Sequence, residues 1–253
     1  MDQRIILMIN CFFLLFLISC DNDGGPGPVI ESRFPESYDL REQNILTSVK
    51  DQGAFGTCWS FASNAMFEAL IKRDLGEDVD LSEQFLINSV PMGPFNAMEF
   101  AVGTGLITED KLPYEGSRVE GFNYEGEVDY KFSSYTTLNL GQMDAQTRID
   151  TVKSYLLNDT PVVSHMNTYN DFQGYRNGVY QYDGVSGSGY GHIILIVGWQ
   201  DDNAYPFGGY WIVKNSWGDY WGENGYFKVA YEDEGFADQY GIVAEGPYKA
   251  PGV

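Results

Sequence analysis

The chain has 253 residues, enough for one large domain or two lobes, and is 43% hydrophobic and 15% aromatic, so most of it is expected to fold. Thirty-six acidic against 15 basic residues leave a net charge of −21, which argues against a nucleic-acid partner, because phosphates would be repelled, and suits a basic substrate. With two histidines, three cysteines and no glycine loop leading to Lys-Ser/Thr, neither a metal nor another cofactor is expected.

Arg4 precedes an apolar run over residues 5–18, broken only by Asn10. The run is shorter than the ~20 residues a membrane-spanning helix needs, so residues 1–19 read as an export signal. It ends Leu17-Ile18-Ser19-Cys20, which resembles a bacterial lipobox. Cys20 is therefore the expected lipidation site, and the chain an exported bacterial lipoprotein held to the membrane by a lipid anchor. Asp21-Asn22-Asp23 favours the outer membrane or cell surface. Residues 20–32, rich in Gly and Pro, form the tether. Cys11 then leaves with the signal and Cys20 carries lipid. Cys58 remains as the single cysteine of the folded body, free of any disulfide and available for reaction.

Over residues 58–74, Trp59, Phe61, Ala62, Ala65, Met66, Ala69 and Leu70 recur at helical spacing, and Gly76 stops the run. Ser82 is an N-cap for a second helix over 83–88. Further helices are predicted over 96–103 and 144–157. After Pro161 the pattern turns to strands, over 161–166, 178–182, 192–199, 210–214, 226–230 and 240–244. Helices first and strands later predict an α+β fold with a helical lobe, a β lobe and a substrate cleft between them.

Cys58 opens the first helix, where the helix N-terminus and a nearby imidazolium would both favour its thiolate. His192 follows Gly191 at the head of an apolar strand and is the preferred base over His165. Asn215, within Lys214-Asn215-Ser216-Trp217-Gly218, would orient the far imidazole nitrogen. Gln52 would donate to an oxyanion beside the Cys58 N–H. The expected resting state is a Cys58 thiolate–His192 imidazolium pair.

These motifs resemble those of the papain-family cysteine proteases: Gln52 through Phe61, Leu81-Ser82-Glu83-Gln84, residues 210–218, and Trp221-Gly222-Glu223-Asn224-Gly225-Tyr226. The resemblance runs from residue 33 to the end, giving a peptidase domain over 33–253. It implies a two-lobed papain-like fold, with a helical N-terminal lobe and an antiparallel β-barrel-like C-terminal lobe. It also implies a monomeric endopeptidase acting on peptides or proteins through an acyl-enzyme, with Trp217 covering the His–Asn contact. A silent binding protein on the same fold and a thiol acyltransferase are the alternatives.

Four departures from the family pattern stand out. Phe55 replaces a usual cysteine, so aromatic packing, from 18 tyrosines and 16 phenylalanines, is expected to take over from cross-links. Only a short tether separates Cys20 from residue 33, where the family carries a helical prosegment, so the enzyme is expected to be active on export or held by a separate inhibitor. Pro91-Met92 replaces a Gly-Gly strand that pairs with substrate, and Pro91 has no N–H to offer. Finally, His165, Ile193 and Glu245 fall near positions that line the S2 pocket, with Glu245 expected at its base facing a basic P2 side chain, and Met92 on the substrate-binding segment.

Overall fold

The structure, a computed structural model, describes residues 33–187 and 189–250. The expected signal, Cys11, Cys20 and the tether lie outside the described residues. Residues from Phe34 onward form one compact unit. Among the described residues no helix is long and apolar enough to cross a membrane.

Strand β1 (Ser37–Asp39) precedes helix α1 (Cys58–Leu75). Gly76 ends α1 in the left-handed conformation, and its N–H donates to Lys72 O. Twelve of the 18 residues of α1 are buried, Ser60, Ser63, Asn64 and Glu68 among them, so the helix is enclosed on nearly every side rather than along one stripe. Helix α2 (Glu83–Ser89) is capped as predicted by Ser82, whose Oγ accepts from Phe85 N at 3.0 Å. Helix α3 (Pro94–Gly103) begins two residues before the predicted start, because Pro94 in the first turn loses no hydrogen bond there. Helix α4 (Ala145–Leu156) starts from Asp144, whose carboxylate accepts from Thr147 N.

The remaining strands are β2 (Tyr130–Leu138), β3 (Val162–Thr168), β4 (Val179–Tyr180), β5 (Tyr190–Asp201), β6 (Gly209–Lys214), β7 (Tyr226–Ala230) and β8 (Phe236–Lys249). They form one sheet in the order β2-β8-β3-β5-β6-β7-β4, with β1 also on β5. The fold is α+β, and it corrects the expectation of an antiparallel barrel. The sheet is mixed, since β4 pairs in parallel with β7, and it stays open, with β2 at one end and the two-residue β4 at the other.

Strand β5 organises the sheet. Its first half pairs with β3 through Thr168↔Tyr190 to Val162↔Ile196, and its last residues pair with β1. Strand β6 covers its other side only from Leu195↔Lys214 onward. Residues 190–194 therefore have no β6 partner, and that uncovered end carries His192. Helix α1 packs across β5 and β8 and buries Phe67 and Leu70 in the core shared by helices and sheet.

Candidate active site

The register of β5 and β6 brings the site together. Lys214 faces Leu195, so the chain leaving β6 runs back alongside residues 192–194 and delivers Asn215 to His192. His192 Nε2 and Asn215 Oδ1 lie 2.8 Å apart. The same Oδ1 accepts the Ser216 N–H at 2.9 Å, which fixes which end of the amide faces the ring. An oxygen there requires a proton on Nε2, so Nδ1 is the nitrogen able to take one. The Trp217 ring lies 5.0 Å from the His192 ring at 32° and covers this contact.

Cys58 reaches the cleft from the other side, as the first residue of α1, and is partly exposed. The preceding Thr57 provides no side-chain cap. Its hydroxyl is paired instead with the Tyr114 hydroxyl at 2.7 Å. The first N–H groups of α1 have no intrahelical acceptor, so the uncapped end offers Cys58 N–H to a ligand.

Gln52 is buried, and its side chain is tied at both ends. Its Nε2 donates to Phe55 O at 2.7 Å, and its Oε1 accepts from Ser216 Oγ at 2.6 Å. Tyr114 donates to Gln52 O at 2.8 Å. Nε2 carries a second N–H beyond the one given to Phe55, and Gln52 lines the cleft. Cys58, His192, Gln52 and Trp217 all line one cavity of about 660 Å³.

Burial opposes charge on both reacting groups. It pushes the Cys58 thiol up, against the Ile193 and Trp59 amides, which favour the thiolate. It pushes His192 down to about 4, against the Asn215 hydrogen bond. Taken singly, burial favours the neutral form of each group.

The expected substrate-binding residues divide. Ile193 is half-buried next to His192. His165 pairs with Ile193 across β3 and β5, and its Nδ1 is buried without a protein partner. Met92 is 73% exposed and lines a second hollow, of about 290 Å³, with Trp59, Val90 and Gly116. The carbonyls of this segment are already engaged: Arg118 Nη2 donates to Val90 O, and Asn96 Nδ2 to Pro91 O and Met92 O. Glu245 is not where the sequence reading put it. It is exposed on β8, its carboxylate accepts from Ser134 and Thr136 of β2, and it lines neither hollow. The ring facing His165 belongs to Tyr240, 6.5 Å away, and Tyr240 in turn packs at a tilt against Phe95.

Sequence reasoning did not single out Tyr114, Ser216 or Tyr240. Ser216 could have been found from its place beside Asn215, whereas Tyr114 carries no signal in its own segment. Phe55 lies where the missing cross-link was noted. Its ring sits 2.2 Å from where a Cβ on Gly116 would be, and edge-on to Tyr114 at 6.5 Å. Among the described residues no group of three or more His, Cys, Asp or Glu is placed to hold a metal ion.

Residues 34–249 match a family described as papain family cysteine protease. The chain is 35% identical over 211 residues to oryzain gamma chain of Oryza sativa subsp. japonica, covering 77% of this chain and 55% of that protein. It is 33% identical over 207 residues to a cathepsin L-like proteinase of Fasciola hepatica, covering 78% and 60%. Among solved structures, digestive procathepsin L2 proteinase from Tenebrio molitor larval midgut superposes with a TM-score of 0.73 at 29% identity, over 85% of this chain and 70% of that one. Bromelain protease from Ananas comosus, in complex with the E64 inhibitor, gives 0.69 at 25% identity, over 83% and 99%. The chain spans little more than half the length of these two curated relatives.

Proposed function

Because the chain belongs to the papain family of cysteine proteases, we propose that it hydrolyses peptide bonds through Cys58, as an endopeptidase. The observation that carries this reading is the 2.8 Å contact of Asn215 with His192, which lines one cavity together with Cys58. With Asn215 fixing Nε2–H, His192 Nδ1 takes the thiol proton as Cys58 Sγ attacks the scissile carbonyl. The resulting oxyanion is met by the remaining Gln52 N–H and the uncapped Cys58 N–H. Collapse of the intermediate breaks the C–N bond, and His192 returns the proton to the leaving amine. Water then enters with His192 as base and frees the acid from the acyl-enzyme.

The acidic chain suits basic peptides. The chain is also proposed to be an exported lipoprotein, cut before Cys20 and anchored by lipid at that residue, on the sequence Leu17-Ile18-Ser19-Cys20.

The test is hydrolysis of quenched fluorogenic peptides by the wild type and by Cys58→Ala under reducing conditions. Cleavage abolished in the variant and blocked by E64, the inhibitor carried by the bromelain neighbour, is expected. A folded protein whose Cys58 alkylates rapidly but which cuts no peptide sinks the peptidase reading. Cell labelling with an alkyne fatty acid, lost in Cys20→Ser, tests the anchor; equal labelling of both refutes it.

A further inference from the structure

In the proposed reaction the amine leaves toward His192. The residue that follows the scissile bond therefore lies against the wall made by His192, Trp217 and the chain beyond them. That wall holds two features the catalytic steps do not use.

The first is Asp51. Its backbone is held by an antiparallel bridge to Trp217, flanked by Gln52 N–Ser216 O at 2.9 Å and Gly218 N–Lys50 O at 3.1 Å. Its exposed carboxylate accepts the Gly53 N–H at 2.8 Å through Oδ1 and the Tyr220 hydroxyl at 2.9 Å through Oδ2. A carboxylate has about four acceptor positions, so room for a ligand remains. Lys50, next in sequence, does not neutralise it, because its ammonium is turned inward to Glu68, Glu83 and Asp80. Among the described residues no lysine or arginine lines the cleft, and Asp51 is the single acidic side chain that does.

The second is Tyr220, which is 78% exposed and nevertheless pinned. Its ring lies 2.3 Å from where a Cβ on Gly218 would be, at a backbone φ of 78°, and its hydroxyl is tied to Asp51. An aromatic face held rigid while left in water is a ready platform for a partner. Tyr190, 75% exposed, lines the same cleft.

A carboxylate beside open aromatic faces suits a planar cation. Arginine can pair with the carboxylate and stack on the ring, whereas lysine offers only a point charge. Resting on the peptidase reading, we propose that the leaving-group side of this cleft is a specificity site for a basic residue, arginine above all, recognised by Asp51 and Tyr220.

The test uses one set of peptides, identical up to the scissile bond, with arginine, lysine or norleucine at each of the three positions after it. Binding to Cys58→Ala is read by fluorescence anisotropy, and hydrolysis by the wild type is read in parallel. Arginine at one of the positions is expected to bind about three- to thirty-fold tighter than norleucine, with lysine between them. The margin is expected to collapse in Cys58→Ala/Asp51→Asn, to narrow in Cys58→Ala/Tyr220→Ala, and to shrink at about 0.5 M salt, where charges are screened within a few ångströms. Equal binding at all three positions, no measurable binding of any peptide, or a margin that survives Asp51→Asn overturns the proposal. Selective binding without hydrolysis would uphold the site and defeat the peptidase reading instead.

Discussion

Replacing Lys50 by methionine tests the charged cluster beneath the site. Lys50 Nζ lies 2.9 Å from Glu68 Oε1 and 2.8 Å from Glu83 Oε1, and the two acid side chains are only 1% and 2% exposed. Glu68 is on α1 and Glu83 opens α2, so one ammonium ties both helices to the loop before Cys58. Removing one partner of a buried ion pair costs about 3–5 kcal/mol, and Lys50, still 21% exposed, places the loss near 3. That is a large share of a typical stability of about 5–15 kcal/mol, and corresponds to roughly 6–12 °C in Tm for a domain of this size.

The pH dependence has a definite sign. Burial already raises Glu83 to about 8, against the pull of Lys50. The folded protein therefore keeps a proton on Glu83 at pH values where the unfolded chain, with a carboxyl near 4.3, has lost it. Its contribution to stability is greatest at low pH and falls as pH rises toward 8. Without Lys50 the fall extends to higher pH. Urea unfolding at pH 5 and pH 8.5 is expected to show a larger penalty for Lys50→Met at the higher pH. In Lys50→Met/Glu83→Gln, part of it is expected to return. A loss under about 1 kcal/mol at pH 8.5, or one equally large at pH 5, would refute the reasoning.

In His192→Ala, Cys58 loses its proposed proton acceptor while burial still raises the thiol, so iodoacetamide alkylation is expected to rise only above the ordinary cysteine value of about 8.5. A midpoint below 7 would show that the helix N-terminus alone holds the thiolate. Gln52→Ala removes the proposed side-chain oxyanion donor, and kcat is expected to fall about 10²–10³-fold with KM little changed; a loss confined to KM would assign Gln52 to ground-state binding. Gly116→Ala places a methyl against the Phe55 ring at a φ of 87°, and is expected to cost about 1–3 kcal/mol in thermal or urea unfolding. A neutral result would mean that the ring swings away freely.

Much of this arrangement was legible in the residues because local and global signals agree. Ser82 and Gly76 mark helix ends through backbone chemistry that does not depend on the rest of the fold. The apolar run after His192 can only be a buried strand. Strand β2 was missed because it is only partly buried, and Ser133, Ser134, Thr136 and Thr137 break the alternation by which a strand is recognised. Strand β1 is three residues long and exists only because β5 is there to pair with it. The sheet's failure to close rests on β4 being two residues long, a matter of pairing rather than composition. The misplacement of Glu245 has a similar origin. Spacing locates a backbone position, but the hydroxyls of Ser134 and Thr136, from a strand not foreseen, hold the side chain. Gln52 was legible as a donor, while its bonds to Ser216 and Phe55 and the Tyr114 hydroxyl beneath it are contacts between distant segments that no local pattern encodes.

The proposed nucleophile and its proposed base sit on different elements. Cys58 rides on the end of α1, while His192 rides on β5 and Asn215 on the chain just past β6. The gap between sulfur and imidazole is thus in large part a mechanical dimension, set by how a buried rod seats on β5 and β8. Phe67 or Leu70, deep in that seat, acts as a shim: trimming it would let the rod settle by a fraction of an ångström and detune turnover from a distance, with no group at the cleft altered.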